Sequence, residues 1–387
     1  MNCRQSHIRQ AILTVFIVSY AISAQSVDAQ EMIFPDRWKN AWTNTLPLYK
    51  KDTLSIRIFG DIMMHTKQIE TAEINDSTYD FSSYFSLISD EIADADLAVA
   101  NMEFTLAGKP YTGYPCFSAP DSFGKYLADC GFDIFLAANN HILDKGSAGA
   151  SRTISRYELL EESHGIRYTG IAKDLDGLHK NTPLIILAKG IKVAIINFTY
   201  GTNLGNQAQW PKVNYMRERS LISKAIIRAK EENADLILVM PHWGTEYQLR
   251  HSKEQEDMAG WLIEQGADMI IGTHPHVVQD MVKKDNATVA YSLGNAISNM
   301  SAPNTQIGLI LTVNIIREHD GDIVIPDPEI AFTWCSRPGG YNDSYTIIPI
   351  RKYIGRKDLW KGEWDYDKMI TSYKRVMEST GTVENNF

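Results

Sequence analysis

The chain has 387 residues, 44% of them hydrophobic and 22% charged, and carries a formal net charge of −9. That length supports a core large enough for a central sheet, in one large domain or two smaller ones. The acidic balance argues against nucleic acid as a partner, because there is no basic field to displace counterions, and it limits any polyanionic polymer to local contact through a metal or a small basic patch.

The first 29 residues read as a targeting segment. Arg4 and Arg9 precede an apolar run from Ala11 to Ala24, which is shorter than the ~20 residues needed to span a bilayer and fits the apolar core of a secretory signal peptide. Small residues allow cleavage after Ala24 or Ala29; the alternative is an uncleaved anchor. Either way the folded part is expected outside the cytoplasm, in the periplasm or at the cell surface. Cys3 lies ahead of the apolar run, so it is not a lipoprotein cysteine. Residues 30–52 contain Trp and Pro without periodicity and read as an arm lying on a single domain spanning 53–387. Cys116, Cys130 and Cys335 remain; a Cys116–Cys130 bridge and three free thiols are both compatible with an oxidising compartment.

From there strand-like and helix-like stretches alternate. Leu54–Phe59, Leu97–Ala100, Asp133–Ala137, Val193–Phe198, Leu236–Pro241 and Met269–Gly272 are short, apolar on both faces and bounded by turn residues, as strands buried in a sheet are. Between them, Ser83–Ala93, Asp121–Cys130, Gly146–His164, Met216–Glu232 and Lys253–Gln265 are amphipathic. The alternation predicts an α/β fold, mixed sheets flanked by helices. Beyond Gly272, Val277–Val282, Val289–Leu293, Gly308–Ile316 and Asp322–Phe332 read as consecutive strands forming a second, more antiparallel sheet. Tyr366–Met377 reads as a closing helix.

Polar residues stand where these strands end, which is where open α/β sheets bind ligands. Asp61 ends the first strand, Asn101 and Glu103 the second, and Asn139, Asn140, His141 and Asp144 follow the third. Later come His242 and Glu246, then His274 and His276, then Asn295. Taken singly, most have ordinary explanations: a Gly-Asp at a strand end is a turn or helix cap, and a lone histidine is a satisfied core residue. In His274–Pro275–His276 the proline is expected to hold the segment extended, so that residues i and i+2 face one side as a ligand pair does. Glu246 reads as orienting a neighbour or capping a turn. His65, His164, His179 and His251 have no supporting context. Carboxylates, an amide and imidazoles together form an oxygen/nitrogen donor set suited to Mn, Fe, Zn or Co, as one or two ions.

In order, Gly60–Asp61, Asn101–Glu103, Ala138–Gly146, His242–Tyr247, Gly272–Gln279 and Tyr291–Asn295 resemble the motifs of the CapA-type poly-γ-glutamate capsule synthesis family, over about Ser55 to Asn314. The resemblance implies a layered sandwich like that of the calcineurin-like metallophosphoesterases. It further implies action on a polyanionic surface polymer or a phosphoester, with membrane-bound capsule machinery as a partner. By position it implies Asp61 as the metal-bridging carboxylate, Glu103 as a second carboxylate, Asn140 as the amide ligand, and His242, His274 and His276 as imidazole ligands. His141 stands as the proton donor, oriented by Asp144, with Asn101, Asn139, Glu246 and Asn295 toward substrate. One departure is visible: the wider superfamily's Asp-x-His reads Asp61–Ile62–Met63, and a thioether is a poor ligand for a hard cation. A metal-dependent hydrolase and a non-catalytic, metal-assisted polymer-binding module both follow from such a site; a secreted nucleotidase-like scavenger follows from fold analogy alone.

Overall fold

A computed structural model describes residues 52–75, 78–205 and 208–385; the targeting segment and all but the last residue of the expected arm lie outside the described residues. In chain order the strands of the two main sheets are β1 (Asp52–Ile62), β2 (Leu97–Met102), β3 (Ile134–Leu136), β4 (Arg167–Thr169), β5 (Leu184–Ala188), β6 (Ile191–Thr199), β7 (Leu236–His242), β8 (Met269–Ile271), β9 (Met281–Lys284), β10 (Ala287–Ala290), β11 (Asn295–Ile297), β12 (Ile307–Arg317), β13 (Ile323–Val324), β14 (Glu329–Ser336) and β15 (Thr346–Pro349). The first sheet runs β15-β14-β12-β1-β2-β3-β4, with β11 and β13 added beside β1 and β12. The second runs β9-β10-β8-β7-β6-β5. β1 to β4 are parallel, as are β6, β7, β8 and β10.

The continuous apolar runs are explained by packing on both faces. Between the sheets, Leu54, Ile56 and Ile58 of β1 share a buried cluster with Val193 and Ile195 of β6 and Leu236 and Leu238 of β7. Outside the first sheet, Ala98, Ala100 and Phe135 pack with Phe123 and Leu127 of helix Asp121–Cys130 and Ile154 and Tyr157 of helix Gly146–His164. Outside the second, Ile196 and Val239 meet Ile222 and Ile226 of helix Arg219–Glu231 and Met258 and Leu262 of helix Lys253–Gln265. The result is the layered sandwich, helix–sheet–sheet–helix, that the alternation predicts. Among the described residues no helix is long and apolar enough to cross a membrane, and Cys116, Cys130 and Cys335 are free thiols, not a bridge.

The C-terminal strands depart from expectation. They form no separate sheet. β9 and β10 extend the second sheet, whereas β12 lies antiparallel along β1, from Asp52 opposite Arg317 to Phe59 opposite Ile310, and β14 and β15 continue outward. Left alone, β1 would be an unpaired edge with an apolar face, and β12 closes it. The stretch Asp322–Phe332 divides into β13 and β14 around Pro326 and Pro328, which cannot donate to a ladder. Of Val277–Val282 only Met281 and Val282 lie in a named strand; the buried Val278 forms an isolated antiparallel bridge with Leu293.

Gly60 fixes how closely β1 and the later chain approach. A Cβ there would stand 1.9 Å from the Gly294 carbonyl oxygen, and this closeness lets the Asp61 N–H donate to that oxygen at 3.0 Å. Gly60→Ala is therefore expected to destabilise the protein by about 3 kcal/mol, the upper range for overpacking a tight site. Thermal unfolding checks it, and an unchanged midpoint would contradict the close approach.

Candidate metal centre

Asp61, near the end of β1, is fully buried. Its Oδ1 accepts from Asn101 Nδ2 at 2.7 Å and its Oδ2 from the His274 backbone N–H at 3.1 Å. Glu103, just past β2, is also fully buried, but neither of its oxygens has a hydrogen-bond partner. Instead Oε1 faces imidazoles: His276 Nε2 at 3.6 Å, His242 Nε2 at 3.8 Å and His141 Nε2 at 3.9 Å. Burial, and next the Asp61 carboxylate, push the Glu103 carboxyl well above the usual range. His242 and His274 are driven the other way, held well below the ordinary imidazole value by burial and then by neighbouring histidines.

Surrounding contacts orient each ring. His276 Nδ1 lies 2.9 Å from Asn295 Oδ1, and the Asn295 amide nitrogen donates to Thr305 O at 2.9 Å, which fixes the amide orientation and directs the His276 Nδ1 proton to Asn295. His276 Nε2 is thereby left to face Glu103; burial lowers the ring's pKa, but the Asp61 carboxylate and Asn295 outweigh it and raise the pKa above the ordinary value. His242 Nε2 is 2.9 Å from Asn140 Oδ1, and its Nδ1 is 3.0 Å from Thr273 Oγ1. His141 Nδ1 is 2.7 Å from Asp144 Oδ2, which also accepts from the Phe117 backbone N–H at 2.7 Å. The His141 ring stands edge-on to Phe117, with centroids 4.6 Å apart.

The residues fit a divalent cation. Two buried carboxylate oxygens and the buried His274 Nδ1 have no hydrogen-bond partner, an arrangement that is costly unless something electropositive sits among them. Candidate ligand atoms lie within 4.8 Å of one another in three groups: Glu103 with His242 and His274, Asp61 with Glu103 and His276, and Glu246 with His274 and His276.

Glu103 is the carboxylate common to the first two groups, projecting between His242 and His276, while both Asp61 oxygens accept hydrogen bonds. The pairing of His274 and His276 does not come from strand alternation. β8 ends at Ile271, and the two histidines sit in a turn with φ of 100° and 58°, a conformation that costs non-glycine residues about 1–3 kcal/mol each. Asn101, Asn139 and Asn295 are buried with their amides engaged internally, Asn139 Nδ2 donating to Met102 O at 2.8 Å. Glu246, read as a turn residue, stands with the histidine pair.

A cleft of about 300 Å³ opens onto this centre, lined in part by Met63, His65, His141, Glu246, Tyr247 and His276. His65 had no sequence signal. Burial holds its imidazole down at about 4, so it is a neutral wall of the cleft at physiological pH. Asn203, also unanticipated, reaches His141 with its amide, 3.3 Å from Nδ1. Nothing but tertiary folding brings either residue here.

The fold and the site define a layered α/β protein with a buried imidazole–carboxylate centre suited to divalent metal. The chain belongs to the bacterial capsule synthesis protein PGA_cap family, whose match covers residues 55–300. It is 27% identical over 384 residues to the capsule biosynthesis protein CapA of Bacillus anthracis, covering 95% of this chain and 87% of that one. It is 24% identical over 302 residues to the PGA biosynthesis protein CapA of Bacillus subtilis (strain 168), covering 75% of each. Among solved structures it is similar to the calcineurin-like phosphoesterase YfkN of Bacillus subtilis, with 15% identity, TM-score 0.43, and 86% of this chain and 100% of that one covered. It is also similar to the NAD nucleotidase of Haemophilus influenzae, with 13% identity, TM-score 0.45, and 85% and 68% covered. Structural likeness at that level carries no functional inference.

Glu103 generates a test of the centre in metal-free protein. Its folded-state pKa is raised, so its contribution to stability is complete below its ordinary value of 4.5 and is lost as pH rises toward the folded value. Glu103→Gln keeps the shape without the charge. In chelator it is expected to match the wild type near pH 4.5 and to be more stable by about 1–3 kcal/mol at pH 7. Denaturant unfolding at both pH values measures this; equal stability at pH 7 would argue against an unpaired buried charge.

Proposed function

We propose that this chain is a metal-dependent hydrolase of capsule biosynthesis, working outside the cytoplasm on a poly-γ-glutamate-type polymer beside membrane-bound capsule machinery. The apolar run Ala11–Ala24 supports the location, and the family supports the polymer. The observation that carries the hydrolytic reading is the His141–Asp144 pair at the edge of the metal centre, 2.7 Å between Nδ1 and Oδ2. A site that only gripped carboxylates would have no use for an oriented proton donor.

Asp61, Glu103 and His276 would hold one ion, and Glu103, Asn140, His242 and His274 another, the donor set suiting Mn, Fe or Zn. Bound there, the metal supplies Lewis acidity and an activated water. The remaining work belongs to the chain. Asp144 is held by the Phe117 N–H and accepts the hydrogen bond from His141 Nδ1–H, so the proton stays on the ring and Nε2 is directed toward Glu103 and the centre. From that position His141 delivers a proton to the departing group. Among the described residues that line the cleft there is no lysine or arginine. Neither a phosphate dianion nor the polymer's carboxylates would find a cationic side chain there, so for either substrate the metal would supply the positive charge.

His141→Ala is expected to lower turnover of polyglutamate by about 10²–10⁴-fold, the usual worth of general acid–base catalysis, with metal content and polymer binding retained. Asp144→Asn is expected to fall between that variant and the wild type. Polymer bound without cleavage by the metal-loaded wild type would instead establish the binding-module alternative, and loss of metal in His141→Ala would make this histidine a ligand.

A further inference from the structure

We propose that Glu246 is a metal ligand on the cleft side of His274 and His276, held there by a strap anchored on Gln279 and Asp280, and that it takes the place Met63 leaves vacant. The inference rests on the metal reading above but adds a donor to it. Its carboxylate lies within 4.8 Å of ligand atoms of both His274 and His276, and His274 Nδ1 is buried without a hydrogen-bond partner. Met63 lines the same cleft, where its thioether offers a hard cation little. Glu246 lines that cleft too, and its carboxylate is the kind of donor the thioether is not.

The loop carrying Glu246 is built to hold it. The Tyr247 N–H donates to Pro275 O at 2.8 Å, tying the loop to the turn between the two histidines. Gln279 Nε2 donates to Gln248 O at 2.9 Å and to Arg250 O at 3.1 Å, and Gln279 Oε1 accepts from Gln255 Nε2 at 2.8 Å. One residue on, Asp280 accepts from the His251 N–H at 3.1 Å and lies 2.8 Å from its Nδ1, while the His251 ring stacks on Tyr291 at 3.9 Å. Thus the loop is fastened at Tyr247 to the turn between the histidines and, between Gln248 and His251, to the segment that follows them. Tyr247 itself adopts φ of 66°, a left-handed conformation rare for an aromatic residue. A loop so tethered holds its carboxylate in place before any ion arrives, which is what separates a ligand from a surface acid.

Mn²⁺ titration by calorimetry, with EPR to detect spin-coupled ion pairs, tests this on the metal-free mature protein. The wild type is expected to bind two equivalents with a coupled signal. Glu246→Gln is expected to weaken one equivalent at least 10-fold and remove the coupling. Gln279→Ala is expected to weaken the same equivalent with stoichiometry kept, since second-sphere partners typically alter affinity 10–100-fold. Met63→His added to Glu246→Gln is expected to restore the lost equivalent, which separates a missing donor from a damaged fold. Wild-type stoichiometry, affinity and coupling in Glu246→Gln would overturn the proposal while leaving the hydrolase reading intact. A wild type that binds no Mn²⁺ would overturn both.

Discussion

Glu103 sits fully buried with both carboxylate oxygens unsatisfied, facing imidazoles from three separate parts of the chain. A charge so placed is among the most expensive groups a protein can bury, unless a counter-charge is supplied at the same point. Burial keeps His242 and His274 neutral, and His276, the imidazole beside Glu103 whose pKa is raised, is already held by Asp61 and Asn295. The whole region is therefore arranged around an electron-poor guest. The asparagines that fix imidazole orientation, the close backbone contact at Gly60 and the unusual turn at His274–His276 all serve to hold lone pairs toward one point.

Such an arrangement is possible because the sandwich supplies rigidity. β1, β2 and β3 from one sheet and β7 and β8 from the other deliver their C-terminal ends to one place, and the apolar cluster between the sheets keeps those ends in register. Strain of a few kcal/mol at two positive-φ histidines is tolerable when the neighbouring strands are this well buried. The His274 backbone N–H bonding Asp61 shows the strain used directly, since the turn aims a main-chain donor at a carboxylate from the other sheet.

Family membership and local chemistry converge from different directions. The capsule synthesis family is established by sequence match, and the metal centre is argued from donor type, burial and distance. The cleft beside the centre is lined by neutral, aromatic and sulfur-bearing side chains together with the acidic Glu246. For the acidic polymer proposed as substrate, an acidic protein would need to concentrate positive charge locally, and a buried divalent ion would do so without a basic surface.

Much of this was legible in residue order. Short apolar runs between amphipathic stretches determined the α/β class, since only two-sided burial explains strands without polar alternation, and Asp121–Cys130, Gly146–His164 and Lys253–Gln265 are helices with the expected limits. Polar residues at successive strand ends marked the site, because strand ends are where a parallel sheet presents side chains to a shared crevice. What residue order could not decide was pairing across distance. Whether β12 covers β1 or begins another sheet depends on which edge remains open after the first strands assemble. Which carboxylate lies between two histidine groups, whether His65 meets the cleft, and whether Glu246 reaches the histidine pair are likewise matters of three-dimensional approach. Those outcomes rest on contacts between residues tens to hundreds of positions apart, and local propensity carries no information about them.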